Sequence, residues 1–288
     1  MSQLPRMRIE RDAACSASLL CALVLAVGCG QGSVAPPAAS TPSANTATVV
    51  KHQAAAESNQ PLDKALSLAK SSLDALDEIK DYTCIFVKQE RVDGQLLDEE
   101  RLAMKIRHQP FSVYMRFIRP ESLAGQEAIY VEGRNNGNLV AHPNGLKGKI
   151  VGTVTLDPTG LIAMHDNRYP ITNAGMKNLV ALLIQLGERK DLLKDCRVEF
   201  IEDGKIGDRG CMLIEISNPW AVGDFRLAKA KIWLDREWNV PLGFESWEWP
   251  KRGNEPVLAE RYQYLQVKFD QGLGDLDFDP ANPEYAFP

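Results

Sequence analysis

The sequence lacks the short motifs that assign an enzyme to a known catalytic class. It has no G-x-S-x-G nucleophile elbow, no Walker A loop, no G-x-G-x-x-G dinucleotide loop and no H-E-x-x-H zinc motif. It also lacks a basic cluster, and its formal net charge is −5. Nucleic acid is therefore not an expected partner, because proteins that bind it carry a concentrated positive patch.

Histidine is scarce, and its few positions do not form a recognisable site. The four histidines are His52, His108, His142 and His165. They fall in separate predicted elements, so no catalytic residue is predicted. The alternative is a hydrolase in which His142 or His165 meets Asp166 and a hydroxyl group only in the fold, because catalytic triads are defined by geometry.

One acidic segment near the end of the chain has the spacing of calcium ligands. Asp275, Asp277 and Asp279 alternate as they do in the first half of an EF-hand loop. Pro280 stands where that loop needs glycine, and Ala286 stands where it needs a bidentate glutamate. We therefore predict no metal site and no cofactor, and interpret the segment as a solvated acidic tail.

The start of the chain predicts export. Arginines at positions 6, 8 and 11 precede an apolar run that ends at Gly28 after about 16 residues, fewer than the roughly 20 of a membrane-spanning helix. The stretch resembles a bacterial lipoprotein signal, in which residues 1–28 are the signal peptide and Cys29 is the lipid attachment residue. The alternative is an ordinary signal cut near Gly28, with Cys29 incidental.

The lipoprotein interpretation implies a location. The protein would face the periplasm of a bacterial cell envelope and be anchored in a membrane through acylated Cys29. Gly30 favours the outer membrane, since aspartate at that place marks retention in the inner membrane of some bacteria.

Composition divides the remaining chain into two parts. Residues 29–60 comprise the acylated cysteine and a spacer rich in proline, alanine, serine and threonine, which we expect to be flexible because it has almost no large apolar residue to bury. Residues 61–288 are long enough for a single globular domain.

Hydrophobic periodicity predicts helices and many strands in this domain. Apolar residues recur at helical spacing over 62–79 and again over 176–186. Between and after these segments, about ten stretches alternate between apolar and polar residues, as in Leu102, Met104 and Ile106. Because short turns link them, we predict an α+β fold: a strongly curved antiparallel sheet, or incomplete barrel, with helices covering its concave face.

Three cysteines remain in the domain, which allows at most one disulfide. Cys196 and Cys211 are equidistant from the turn signal Asp203-Gly204, so a hairpin there would place them opposite each other. We predict this pair. A bridge involving Cys84, or no bridge, remains open.

Three segments resemble family 1571 of the bacterial domains of unknown function. They are Tyr82-Thr83-Cys84 with Glu90-Arg91-Val92-Asp93-Gly94, then Tyr169-Pro170-Ile171-Thr172, and a closing segment from Gly272 to Tyr285. The family implies no activity. The order of elements also resembles the lipoprotein carriers LolA and LolB and the stress sensor RseB, a group whose curved sheet holds lipid or lipoprotein acyl chains.

We therefore expect a non-catalytic, membrane-tethered protein that binds lipid or lipoprotein acyl chains in an apolar cavity. The residues expected to line it are Leu102, Met104, Ile106, Val113 and Met115, although each of them would also suit an ordinary core. The alternative is an envelope scaffold or sensor that binds proteins, and the third hypothesis is the hydrolase described above.

Overall fold

A computed structural model describes residues 47–145 and 150–288, with side chains from residue 61 onward, and all of them belong to one compact unit. The predicted signal peptide and Cys29 lie outside the described residues. No helix in the described ranges is long and apolar enough to cross a membrane.

The fold is dominated by one antiparallel sheet of twelve strands that does not close into a barrel. Eleven strands follow one path in the order β7-β6-β5-β4-β3-β1-β12-β11-β10-β9-β8, and the short β2 pairs with β1. This arrangement confirms the predicted fold class. The strands are β1 (Asp81–Val92), β2 (Gln95–Leu96), β3 (Glu100–Arg107), β4 (Ser112–Arg119), β5 (Glu127–Val131), β6 (Leu139–His142), β7 (Val154–Leu156), β8 (Arg197–Ile206), β9 (Arg209–Ser217), β10 (Leu227–Asp235), β11 (Pro241–Glu248) and β12 (Val257–Phe269).

Strand alternation sorts the sheet into two faces, because neighbouring side chains point to opposite sides. In β3, Leu102, Met104 and Ile106 are buried on one face. The strand register extends this face across the sheet. On one side, Ile106 pairs with Tyr82 of β1. Toward the other edge, successive pairs link the residues of four neighbouring strands on this face, namely Phe244 of β11, Ile232 of β10, Ile214 of β9 and Phe200 of β8. We call this the inner face and the opposite one the outer face.

The helices described beside the sheet include α1 (Ala47–Glu78), α2 (Met176–Gly187) and α3 (Lys190–Leu193). The first helix begins at Ala47, inside the segment predicted as a spacer, and Pro61 lies within it. It therefore starts earlier than predicted from its apolar stripe, and the alanines at 54–56, which have high helix propensity, favour this extension.

The helices α1 and α2 lie on the inner face. Lys64 of α1 is placed 4.2 Å above the ring centre of Phe200, and the backbone N–H of Met176 donates to the Tyr82 hydroxyl at 3.0 Å. Gly175, just before α2, has φ of 98°, and a Cβ there would lie 2.8 Å from Cδ1 of Ile106. Glycine is therefore needed at this contact, because any side chain would push α2 off the sheet.

The last residues of the chain, 272–287, form a strap across the outer face, which corrects the predicted solvated tail. Asp275 binds Arg107 at 2.9 Å, and Asp277 binds Lys105 at 2.7 Å. Phe278 is buried against Tyr114 and its neighbours in the outer-face core. Asp275 and Asp277 therefore pair with basic side chains of β3, and the buried Phe278 anchors the strap. The described residues contain no group of side chains arranged to hold a metal ion.

The structure also corrects the predicted Cys196–Cys211 disulfide. The hairpin between β8 and β9 turns at Gly207-Asp208 rather than at Asp203-Gly204, so Cys211 lies opposite Gly204. Cys196 precedes β8, whose first residue pairs with Ser217. Both cysteines and Cys84 are free thiols. Burial raises the pKa of Cys196 and that of Cys211 to about 11, so both are protonated at neutral pH.

Candidate functional site

The five residues predicted to line a cavity all lie together on the inner face. Met104 of β3 pairs with Met115 of β4, and Ile106 pairs with Val113 in the same ladder. Leu102, Met104, Ile106 and Val113 are buried, whereas Met115 is half-buried. The structure therefore brings the predicted set into one apolar floor, with its accessible margin toward β4. Their role in lining a ligand site remains a prediction.

Aromatic side chains extend this floor across the middle of the sheet. The Phe86 ring of β1 lies 5.7 Å from that of Tyr262 and 5.1 Å from that of Tyr264, both on β12. Tyr262 in turn lies 6.3 Å from Phe244 of β11. These spacings are typical of favourable aromatic pairs, so the centre of the inner face is a continuous aromatic strip.

The helix α2, which covers this floor, carries more apolar surface than it buries. An amphipathic helix on a sheet normally buries one stripe and shows polar residues elsewhere. Only Met176 and Val180 of α2 are buried. Its remaining apolar residues are half-buried, namely Leu179, Ala181, Leu182, Leu183, Ile184 and Leu186. The helix therefore presents apolar surface that no part of the described chain covers fully.

A polar cluster occupies one end of the inner face, where β1 ends and β12 begins. Its members are Lys88, Glu90, Glu100, Arg168, Tyr169, Ser246, Glu248, Glu260 and Tyr262. The sheet supplies all of them except Arg168 and Tyr169, which come from the connection between β7 and α2. This polar cluster interrupts the apolar alternation, because Glu90, Ser246 and Glu260 stand at inner-face positions.

Arg168 is the centre of the polar cluster. Its guanidinium donates to Glu248 at 2.7 Å and to the Arg91 carbonyl at 2.9 Å, and its backbone N–H donates to Glu90 at 2.9 Å. The neighbouring Asn167 accepts a hydrogen bond from Lys88. The Nε of Arg168 also lies 3.6 Å from Glu260 of β12. Asn167 and Arg168 therefore hold the connection to three adjacent strands, β1, β12 and β11.

The carboxylates of the polar cluster share donors. The Tyr262 hydroxyl lies 2.5 Å from Glu90 and 3.1 Å from Glu260, and the Ser246 hydroxyl donates to Glu260 at 2.8 Å. Burial raises the pKa of Glu260 even though Arg168 and Ser246 oppose the shift. Burial likewise raises the pKa of Glu100, against the effect of Lys88. Two of the acids are thus biased toward their neutral form because water is excluded.

The histidines are not placed as the hydrolase hypothesis requires. His165 contacts its neighbour Asp166 at 2.9 Å, and both side chains are exposed rather than set in a pocket. His142 is directed to the carbonyl of Gly152. Among the hydrogen bonds of the described residues, none joins either histidine to a hydroxyl group.

The family model described as "Protein of unknown function (DUF1571)" matches residues 79–287. The chain belongs to this DUF1571 family. The predicted resemblance is thereby confirmed, and all three segments on which it depended lie within the matched range. No curated protein matches the chain.

The chain is also similar to solved structures at low sequence identity. LppX, a lipoprotein of Mycobacterium tuberculosis, is 13% identical, with coverage of 74% of this chain and 97% of LppX and a TM-score of 0.43. A LolA superfamily protein from Nitrosomonas europaea is 14% identical, with coverage of 73% and 97% and a TM-score of 0.30. A DUF1329 family protein from Desulfovibrio piger is 9% identical, with coverage of 76% and 97% and a TM-score of 0.38.

The segments that identify this DUF1571 protein meet at two places in the fold. Glu90 and Tyr169, from the first and second segments, both belong to the polar cluster, which sequence reasoning did not predict. The signal was present, because a glutamate at an inner-face position of an otherwise apolar strand needs a partner. The third segment forms the strap on the outer face.

Proposed function

We propose that this protein binds an amphiphile, a lipid or the acyl chains of a lipoprotein, between α2 and the inner face of its sheet, without catalysing a reaction. The observation that carries this proposal is the half-buried apolar surface of α2 above an apolar floor. An incompletely covered apolar helix above an apolar floor, whose margin at Met115 is also half-buried, favours a flexible apolar occupant.

The energetics favour a long chain over a short one. Burying a methylene group contributes about 0.8 kcal/mol, so a stretch of about twelve methylenes contributes roughly 10 kcal/mol. Association costs about 4–15 kcal/mol before any net affinity appears. We therefore expect affinity to rise steeply with chain length, and short fatty acids to bind too weakly to detect.

We further propose that the protein works at a bacterial membrane, facing the periplasm. The support for this location is the lipoprotein-like sequence around Cys29, and Gly30 favours the outer membrane. A tethered domain of this kind would meet lipid at high local concentration. Labelling cells with a palmitate analogue tests the anchor: a Cys29→Ser variant should lose the label that the parent chain carries.

Binding can be tested with two matched substitutions on β4. Met115→Lys places a charge at the accessible margin of the floor, whereas Ile118→Lys places the same charge on the outer face of the same strand. We expect the first to weaken binding of a fluorescent long-chain fatty acid about tenfold or more, because an unpaired charge beside an acyl chain is costly. The second should leave it unchanged.

The outcome that contradicts this proposal is equally clear. The protein would be purified from its native envelope and analysed for bound lipid by mass spectrometry. If no lipid is found and no long-chain probe binds to the parent chain, the proposal is wrong.

A second candidate function, an envelope scaffold or sensor that binds proteins, is favoured by one observation. The connection between β7 and α2 exposes two adjacent apolar residues, Leu161 at 94% and Ile162 at 74%. Exposed apolar residues in a loop are typical of a protein contact. Photo-crosslinking from position 161 in intact envelopes would support this function if it captures a defined protein while the purified chain carries no lipid.

A further inference from the structure

Three large apolar side chains are exposed in loops that join strands of the sheet. They are Ile150, 83% exposed, Val151, 54% exposed, and Trp220, 54% exposed. Ile150 and Val151 belong to the loop between β6 and β7, and Trp220 belongs to the loop between β9 and β10. We call these three residues the apolar rim. Their exposure favours a partner that removes them from water.

The sheet topology places both loops at the same end of the sheet. Neighbouring strands are antiparallel throughout, so β1, β4, β6, β9 and β11 all run toward the end that holds the polar cluster. The loops that follow β6 and β9 therefore both leave from that end. At the opposite end, Trp238 of the loop between β10 and β11 is 42% exposed, but its ring packs on Phe269 at 4.8 Å.

Hydrogen bonds hold the loops that carry the apolar rim. The side-chain amide of Asn144 donates to two carbonyls of the loop between β4 and β5, at 2.9 Å and 3.1 Å. The Trp249 indole donates to the Asn218 carbonyl at 3.1 Å, and its backbone N–H donates to the Arg226 carbonyl at 2.8 Å. These bonds fix both ends of the loop that contains Trp220. Little ordering is therefore required when the apolar rim meets a partner, which lowers the cost of binding.

The first helix leads toward the same end of the sheet. Lys80, just after α1, accepts a hydrogen bond from the backbone N–H of His108, just beyond the far end of β3. Lys64, earlier in α1, lies above Phe200, and successive strand pairs place Phe200 in line with Lys88 of the polar cluster. Followed toward its start, α1 thus runs from the far end of the sheet toward the apolar rim. The segment that leads to the proposed lipid anchor precedes the helix on this side.

We propose that the apolar rim docks on the lipid bilayer to which the protein is tethered, with its three side chains inserted at the level of the head groups. This inference rests on the proposed location at a membrane and adds the orientation of the domain. Isoleucine and valine gain by leaving water, and the indole of Trp220 suits the boundary between head groups and acyl chains because one of its edges is polar. The tether keeps the bilayer at high local concentration, so weak insertion is sufficient.

Charge does not supply this attraction. Lys251 and Arg252 are exposed in the loop between β11 and β12, but Glu255 is exposed in the same loop and Asp224 in the loop of Trp220. This mixture is unlike the basic clusters that bind anionic lipids. We therefore expect docking to depend on apolar contact and to resist added salt, because salt screens only the attraction between charges.

Vesicle flotation tests the apolar rim without the anchor. The chain from residue 35, which contains every element and core contact described above, would be floated with vesicles of equal parts dioleoyl phosphatidylethanolamine and dioleoyl phosphatidylglycerol. We expect it to float with them at low and at high salt. Replacing Ile150 and Val151 together by serine should lower the partition coefficient about tenfold or more, because two apolar side chains no longer leave water.

Matched substitutions test the position of the effect. Trp220→Ser should also weaken flotation, whereas Trp238→Ser at the opposite end should leave it unchanged. Leu276→Ser is a second control, because Leu276 is 56% exposed in the strap on the outer face and its change does not disturb a packed ring. It decides the comparison if Trp238→Ser does not fold.

Photo-crosslinking identifies what covers the apolar rim. A photoreactive residue would be placed at position 150 or 220 of the anchored protein in intact envelopes, with position 276 as the control. We expect lipid adducts at the first two positions and none at the third. The chain from residue 35, loaded with lipid and separated from vesicles, should give no adduct at position 150, because the proposed cargo lies on the inner face.

Several outcomes would overturn the docking. They are protein adducts in place of lipid adducts, flotation that the double substitution does not change, and adducts at position 150 from the vesicle-free chain, which would mean that the apolar rim contacts carried lipid. Each leaves the proposed function standing if a long-chain probe still binds. Conversely, absence of the palmitate label at Cys29 would overturn the anchor alone, since flotation of the chain from residue 35 still decides whether the apolar rim binds a bilayer.

Discussion

Removing the Phe278 side chain should destabilise the whole fold, although Phe278 follows the last strand of the sheet in the sequence. Phe278 is 1% exposed and packs against Tyr114, Ile129 and Val131 of β4 and β5. A buried Phe→Ala change costs about 3–5 kcal/mol through lost burial and the cavity it leaves. The contact of Arg107 with the ring, at 4.9 Å, is lost as well. For a domain of this size each kcal/mol corresponds to about 2–4 °C, so the melting temperature should fall by roughly 6–20 °C.

The assay is urea unfolding followed by tryptophan fluorescence, with Leu276→Ala as the matched control. Leu276 lies in the same strap but is 56% exposed, so its truncation should cost less than about 0.5 kcal/mol. If Phe278→Ala also falls within that range, the strap is not part of the cooperative core. The reasoning that assigns the closing family segment to stability would then be wrong.

Three further predictions concern the inner face and the thiols. Arg168→Met should destabilise the protein by about 3–5 kcal/mol in urea unfolding, because it leaves buried carboxylates without their cation, and an unchanged midpoint would refute its central role. The pKa of Glu260 is raised in the folded state, so its contribution to stability is complete below the unfolded carboxyl pKa and is lost as pH rises through the folded pKa. Melting temperature measured from mildly acidic to neutral pH should therefore depend less on pH in Glu260→Gln than in the parent, and parallel curves would contradict this. Thiol titration of the chain from residue 35 in denaturant without reductant should find three free thiols, namely Cys84, Cys196 and Cys211, whereas a single thiol would mean that two of them form a disulfide.

Local pattern predicted most of the sheet because one face of each strand is buried. The alternation of Leu102, Met104 and Ile106 defined β3 and the face to which it belongs. The pairing of β8 with β9 was predicted incorrectly because two turn signals lie four residues apart, at Asp203-Gly204 and at Gly207-Asp208. A bulge between Ile201 and Gly204 then shifts the register, and nothing local specifies it.

The polar cluster and the strap were beyond local pattern for a different reason. Arg168 meets Glu90 across an interval of 78 residues, and Asp277 meets Lys105 across 172. In the sequence alone, Asp277 looks like part of a solvated polar segment. Only the fold shows that Lys105 lies opposite it. Long-range ion pairs of this kind depend on topology, so a single sequence carries little information about them.

The open edges of the sheet have a mechanical consequence. β7, of three residues, and β8 end the sheet without pairing with each other. Exposed charges along β8, at Arg197, Glu199, Glu202 and Lys205, discourage another strand from adding there. Since no ladder joins the two edges, the sheet can widen or tighten its curvature without breaking a backbone hydrogen bond. A closed barrel has a fixed bore, whereas an open sheet leaves the distance between its two edges free of that constraint.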